Sequence, residues 1–365
     1  MNDQSNKNSI KRLTIHGFKS IQRLDDFPLN SLNVLIGANG SGKSNLVSYF
    51  AMLGNMLGNA LQVWTRKQGG ADRVLFNGVK ETQQLHSEIV AGEFSFQFTL
   101  EPTVDEGFVF HSENVIESDQ KQRLRGGHTE SNLVSRRYSV YKTIHRSRET
   151  ISRWQVYHFH DTSDTAGVKR SSAVHDNEKL RPDASNLSAF LYRLQLEEPK
   201  HYTQIIKMIR LAIPFFDDFV LKPQTLPTEE QRIRLLWKQK DSDYALWPSQ
   251  LSDGSIRFIC LVTALLQPDP PTTIIIDEPE LGLHPYAITL LGSLLRSASS
   301  RMQVIVSTQS VPLVNEFNLD DLIVVERENG ATAFKRLNAD EFNNWLEDYS
   351  VGELWEKNIL GGRPR

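Results

Sequence analysis

Hydrophobic positions along this 365-residue chain change their period several times. Residues 11–17 and 32–36 are apolar runs of strand length, and 43–63 repeat their apolar residues at helical spacing. From 85 to 159 the period is mostly two. In EFSFQFTL, Phe94, Phe96, Phe98 and Leu100 alternate with Ser95, Gln97 and Thr99, as on an antiparallel strand with one buried face. Glycine and charge punctuate the later strands of that region. A helical block follows, in which Leu187, Phe190, Leu191 and Leu194, then Ile205, Met208, Ile209 and Ala212, recur at three and four residues. Strands return at 217–222 and 231–238. The last third alternates a helix from Ser255, the strand TTIIID, a helix from Pro285, the strand QVIVST, a helix from Val311 and the strand DLIVVE. Near-continuous Ile/Val strands between helices predict a parallel sheet covered on both faces. The expected architecture is one α/β domain over 1–365. Its core is formed by 1–84 and 246–365, and is split by an antiparallel β lobe at 85–159 and a helical and β insertion at 160–245.

Composition narrows the class. At 39% hydrophobic the chain has ample material for a packed core. The single cysteine, Cys260, lies in the apolar run 258–265, which excludes a disulfide framework and fits a buried small side chain in a reducing compartment. The N-terminal MNDQSNKNSIKRL has no apolar stretch of signal-peptide length, and no apolar run approaches the roughly 20 residues that span a bilayer. The expectation is a cytoplasmic protein without membrane contact. A net charge of −3 gives no global attraction to nucleic acid, so such contact would need a local patch.

The first chemical signal is Gly37-Ala38-Asn39-Gly40-Ser41-Gly42-Lys43-Ser44, which fits the G-x-x-x-x-G-K-[ST] phosphate loop between a strand and a helix. Glycines there let successive backbone N–H groups turn toward a phosphate, with the positive helix end behind them. Lys43 would reach the β- and γ-phosphates of ATP, and the Ser44 hydroxyl would ligate Mg²⁺. A second signal is the apolar strand ending in Asp277-Glu278, where Asp277 would hold Mg²⁺ through water and Glu278 would orient and deprotonate the attacking water. The third is LSDGSIRF at 251–258, whose Ser252 lies 25 positions before Asp277. Ser252 and Gly254 open an apolar helix, a second anion site that one γ-phosphate does not need. It therefore suggests service to the nucleotide of another copy.

In that order the three motifs resemble the ABC-type ATPase superfamily, in the RecF, SMC and OLD flavour. GANGSGKSN with Asn45 resembles the RecF/SMC form of the loop, HGFKSI at 16–21 resembles the opening strand of those families, and DEPELGLHP at 277–285 resembles their joined Walker B and D-loop. VYHFHDTSDTA, DASNLSAFLYRL and WLEDYSVGELWEKNILGGRP are similar to stand-alone predicted RecF-family ATPases. The resemblance implies an ABC-type P-loop NTPase head and a head-to-tail ATP-sandwiched homodimer. In it Lys43, Ser44, Asp277 and Glu278 of one copy act on a γ-phosphate capped by Ser252 and Gly254 of the other. The sequence departs from the family in two places. Gln309 stands where many members carry a switch histidine; its amide can donate to the γ-phosphate but cannot titrate. No glutamine marks a Q-loop, and His160 or Asp161 in HFHDTS would either touch the metal's water shell or form a hydrogen-bonded turn.

Residues 121–153 hold nine Lys or Arg against two acidic residues, with Tyr138 and Tyr141 interleaved. They are either a solvated β surface or a contact for a phosphate backbone. About 200 residues without a heptad seam separate the loop from LSDGS, and about 55 follow Gln309, so neither a long coiled coil nor a Toprim nuclease is expected. Trp345, Leu354 and Trp355 are expected to pack the tail onto the core. The expected activity is Mg²⁺-dependent ATP hydrolysis coupled to DNA repair or DNA-structure sensing. The alternative is an ATP-gated scaffold for a separately encoded nuclease or toxin in anti-phage defence. A transporter subunit fits poorly, because neither the FKS strand nor the large β insertion belongs to one.

Overall fold

The computed structural model describes residues 8–362 except 119, 136 and 138–140; Arg136 and Tyr138 of the basic stretch lie outside the described residues. The chain divides into two units, one of 1–156, 271–277 and 299–365, the other of 157–270 and 278–298.

The first unit opens with β1 (Ile10–Phe18), β2 (Ile21–Pro28) and β3 (Leu32–Ile36), then α1 (Lys43–Leu57), α2 (Leu61–Lys67) and α3 (Ala71–Val74). β4 (Leu85–Ala91), β5 (Phe94–Pro102), β6 (Phe108–Glu117) and β7 (Gln120–Arg123) follow, and α4 (Lys142–Ser152) leads to β8 (Trp154–Tyr157). The alternating sequence acts as expected. Phe94, Phe96, Phe98 and Leu100 are all buried in an antiparallel sheet of order β2-β1-β4-β5-β6-β7. Each such side chain contributes about 1.5–3 kcal/mol on leaving water.

The second unit contains β9 (Ser172–Ala173), the helices α5 (Leu187–Glu197), α6 (Pro199–Ala212) and α7 (Asp253–Leu266), and α8 (Pro285–Ser299), which ends it. Between α6 and α7 run β10 (Phe216–Val220), β11 (Gln224–Thr225), β12 (Gln231–Ile233) and β13 (Leu236–Gln239). They form two small antiparallel sheets, β10-β13 and β11-β12-β9. The apolar faces of α5 and α6 and nearly all of α7 are buried, and Cys260 on α7 is 2% exposed. That burial pushes its thiol pKa up to about 12, so it is an inert core side chain.

The chain returns to the first unit with β14 (Thr273–Asp277), β15 (Gln303–Thr308), α9 (Val311–Val314), β16 (Leu322–Glu328), β17 (Ala331–Arg336), α10 (Asn343–Leu346) and α11 (Val351–Glu356). The second large sheet has the order β17-β16-β3-β15-β14-β8, and its pairs β16·β3, β3·β15 and β15·β14 are parallel. Every residue of β3 and β15 is buried, which is why those strands read as near-continuous apolar runs rather than alternating ones. Register sets Ile36 opposite Thr308 and Asp277 opposite Ser307, so the strand ends carrying the motifs line up. In open α/β sheets that carboxyl edge is where ligands bind.

Three local expectations change. The helix expected over 43–63 stops at Leu57, because Gly58 and the left-handed Asn59 (φ +53°) separate α1 from α2. The period-two region contains the helix α4. The strand expected over 231–238 is two strands in different sheets. Among the described residues no helix is long and apolar enough to cross a membrane.

Candidate nucleotide site

In the first unit the loop after β3 turns on its glycines. Gly42 (φ +114°) caps α1, and a Cβ there would overlap the Thr332 side chain. Lys43 is 4% exposed and donates from Nζ to the carbonyls of Gly37 (2.6 Å) and Ala38 (3.0 Å), so the ammonium lies over the loop. Ser44 Oγ donates to Asp277 Oδ1 at 3.4 Å, and Ser307 Oγ donates to the same oxygen. The two expected metal-binding side chains are therefore brought together from α1 and β14. Gln309 follows β15 directly and is half-buried beside the loop-bearing strand.

Whether these residues suit a triphosphate can be tested on the loop itself. The backbone N–H groups of Asn39, Gly40 and Gly42 have no partner among the described residues. Ser41 Oγ is buried without a hydrogen-bond partner, and a Cβ on Gly40 would meet open space. Unpaired donors around an open turn at a helix N-terminus suit an anion. The hydroxyl and carboxylate of Ser44 and Asp277 are hard oxygen ligands of the kind Mg²⁺ takes. A cavity of about 580 Å³ borders the loop, lined by Ala38, Asn39, Gly40 and Ser41 and by residues 325–329 of the β16–β17 hairpin.

A buttress that sequence reading missed holds the loop. Thr332 Oγ1 donates to the Ser41 carbonyl (2.8 Å), Ser20 Oγ donates to Thr332 Oγ1 (2.6 Å), and Asn45 Nδ2 donates to Ser20 Oγ (2.6 Å). Asn45 thus serves the loop through Ser20. In the same FKS stretch Lys19 Nζ reaches Ser48 Oγ (2.7 Å) and Gln68 Oε1 (2.9 Å), and burial lowers its pKa. The FKS triplet was the available signal for Ser20; nothing in the sequence pointed to Thr332 or Ser307.

The second unit carries the other expected residues. Glu278 has a left-handed backbone (φ +42°), a strained conformation for a residue with a Cβ. Ser252 caps α7, accepting the Ser255 N–H at 3.2 Å. Gly254 lies so close to the Gly282 carbonyl that a Cβ would overlap it. Arg257, unremarked from sequence, donates to the carbonyls of Phe159 (3.0 Å), His160 (3.2 Å) and Leu281, joining LSDGS, HFHDTS and the D-loop stretch. Burial lowers its pKa. Asp161 accepts from both Ser163 N–H (3.1 Å) and Ser163 Oγ (2.7 Å), a hydrogen-bonded turn within HFHDTS.

The family model described as "AAA domain, putative AbiEii toxin, Type IV TA system" matches residues 32–315, more than three quarters of the sequence. The chain belongs to this AAA-domain family. The match spans the phosphate loop, the LSDGS motif, Asp277-Glu278 and Gln309. No curated protein is similar enough to match. Among solved structures, the Smc head bound to the C-winged helix domain of ScpA aligns at TM-score 0.56 and 15% identity, covering 92% of this chain and 99% of that one. A second, an Smc head domain with an extended coiled coil bound to the C-terminal domain of ScpA derived from Pyrococcus furiosus, aligns at TM-score 0.58 and 14% identity, covering 93% and 98%. This AAA-domain protein therefore has the P-loop NTPase fold of these Smc heads, with a mostly parallel core sheet and an antiparallel β lobe.

Proposed function

We propose that the protein binds and hydrolyses ATP as a sandwiched homodimer, and that the cycle is coupled to DNA. The observation that carries the nucleotide reading is the meeting of Ser44 with Asp277 beside a loop whose N–H donors are unpaired among the described residues. The loop N–H groups of Asn39, Gly40 and Gly42, with Lys43, would hold the phosphates, and Ser44 and Asp277 would hold Mg²⁺. Bound there, the metal would supply positive charge against the phosphate oxygens. Glu278 would take the proton of the attacking water, Gln309 would donate to the γ-phosphate, and Ser252 and Gly254 of a second copy would cap it. The DNA contact is supported by the surface of 121–153, where Lys121, Arg123, Arg125, Lys142 and Arg148 are exposed and make no ion pair among the described residues. Arg146, by contrast, pairs with Glu117 at 2.8 Å.

A second reading takes support from the family's description as a putative toxin of a type IV toxin–antitoxin system. In it the ATP-bound dimer is the signal to a separately encoded protein, and DNA is not touched. Equilibrium binding of labelled ATP tests the shared core. Lys43→Ala is expected to abolish binding, and Glu278→Gln to retain it while turnover falls roughly 10²–10⁴-fold. Wild-type ATP affinity in Lys43→Ala would sink the assignment.

A further inference from the structure

We propose that the C-terminal turn Gly361–Gly362 is a positioning element of the phosphate loop, one end of a strap tying that loop to the helix after Gln309. The proposal rests on the reading of residues 37–44 as a nucleotide loop. The Gly362 N–H donates to Glu326 Oε1 at 2.6 Å, and the Gly362 carbonyl accepts the Ala38 N–H at 2.7 Å. The path thus runs from a carboxylate on β16 through one glycine to the second residue of the loop. Close approach is what demands glycine here. Both residues have left-handed φ (+85° and +84°). A Cβ on Gly361 would lie 3.1 Å from Glu326 Oε1, and one on Gly362 would lie 3.2 Å from Val324 Cγ1 and 3.3 Å from Gly37 Cα.

The other end of the strap is fixed as tightly. Ser350 and Glu353 form a capping box that starts α11, and Leu354 and Leu360 are buried. Gly352 N–H donates to Asn315 Oδ1 at 2.7 Å, and a Cβ on Gly352 would lie 2.6 Å from that oxygen and 2.8 Å from Val311 Cγ1. Val311 opens α9, two residues after Gln309. The strap therefore joins the end of β15 to the loop following β3.

The choice of Ala38 separates support from obstruction. The turn takes the Ala38 N–H and leaves those of Asn39, Gly40 and Gly42 unpaired among the described residues, so it fixes the loop's entrance without filling its cradle. Losing the strap should therefore loosen a preorganised anion site, a cost that appears in nucleotide affinity and KM rather than in kcat.

The test is titration of the full chain with a fluorescent ATP analogue, alongside steady-state kinetics. Glu326→Ala and Gly362→Val are each expected to weaken binding and raise KM about tenfold, the worth of one charge-assisted bond and its positioning. Glu326→Gln keeps an Oε1 acceptor and is expected to restore most of the affinity. Wild-type affinity in Glu326→Ala, or a Glu326→Gln no better than Glu326→Ala, overturns the proposal. Tighter binding in either strap variant overturns it too, since the turn would then be a plug. If Gly362→Val does not fold, the two Glu326 variants decide. Wild-type protein that binds no nucleotide, or Lys43→Ala that binds it normally, fails the loop reading instead.

Discussion

At the scale of single residues, Thr332 holds the phosphate loop although it is far from it in sequence. It is 3% exposed and stands between the Ser41 carbonyl and Ser20. Thr332→Val keeps the shape but leaves that carbonyl without its donor in a buried place, a loss of about 1–3 kcal/mol. A lower Tm together with weaker ATP binding is expected; unchanged values of both would show the buttress to be idle. The residues legible in the sequence were those whose chemistry is local: the glycines, Lys43, Ser44 and the Asp277-Glu278 pair each sit in a contiguous motif. Ser307, Thr332, Arg257 and Gly362 were not legible, because each acts through a backbone or carboxylate partner supplied by the fold. The tail divides the same way. Leu354 and Trp355 are buried as expected, but Trp345 is 46% exposed and lies against the Tyr349 ring, so its expected place in the core is not found.

Among the elements, the strands of both large sheets were readable because their periods differ, two in the half-buried lobe and none in the fully buried core. The helix α4 escaped that reading. Its buried face is Ile144, Ser147, Thr150 and Ile151, and two small polar residues in the stripe hide the helical period. Part of the basic stretch is thus helical and part is the edge strand β7, whose residues are mostly exposed. If this surface binds DNA, log affinity should fall linearly with log salt. Replacing Lys121, Arg123 and Arg125 by Ala should lower the slope by about 0.9 for each phosphate that is no longer neutralised. Anisotropy with Glu278→Gln in Mg-ATP measures it; a slope equal to that of the unsubstituted surface would remove β7 from the DNA-binding face, and absence of any binding would favour the protein-partner reading.

For the molecule as a whole, Ser252 and Gly254 of one copy are proposed to serve the nucleotide of a second. Ser252→Arg should therefore leave ATP binding by the monomer intact while removing turnover. Undiminished ATPase activity in that variant would exclude a composite site. A mixture supplies a sharper version. Lys43→Ala and Ser252→Arg, each inactive alone, should regain a fraction of wild-type activity when combined, because one of the two sites in the mixed dimer is then intact.

The mass of the Glu278→Gln protein in solution, measured by light scattering with and without Mg-ATP, tests the ATP-sandwiched dimer itself. The sandwich predicts a monomer without nucleotide, twice that mass with it, and a monomer under both conditions when Ser252→Arg is added. A mass indifferent to ATP, in protein shown to have bound it, would contradict the composite site and with it the proposed cycle.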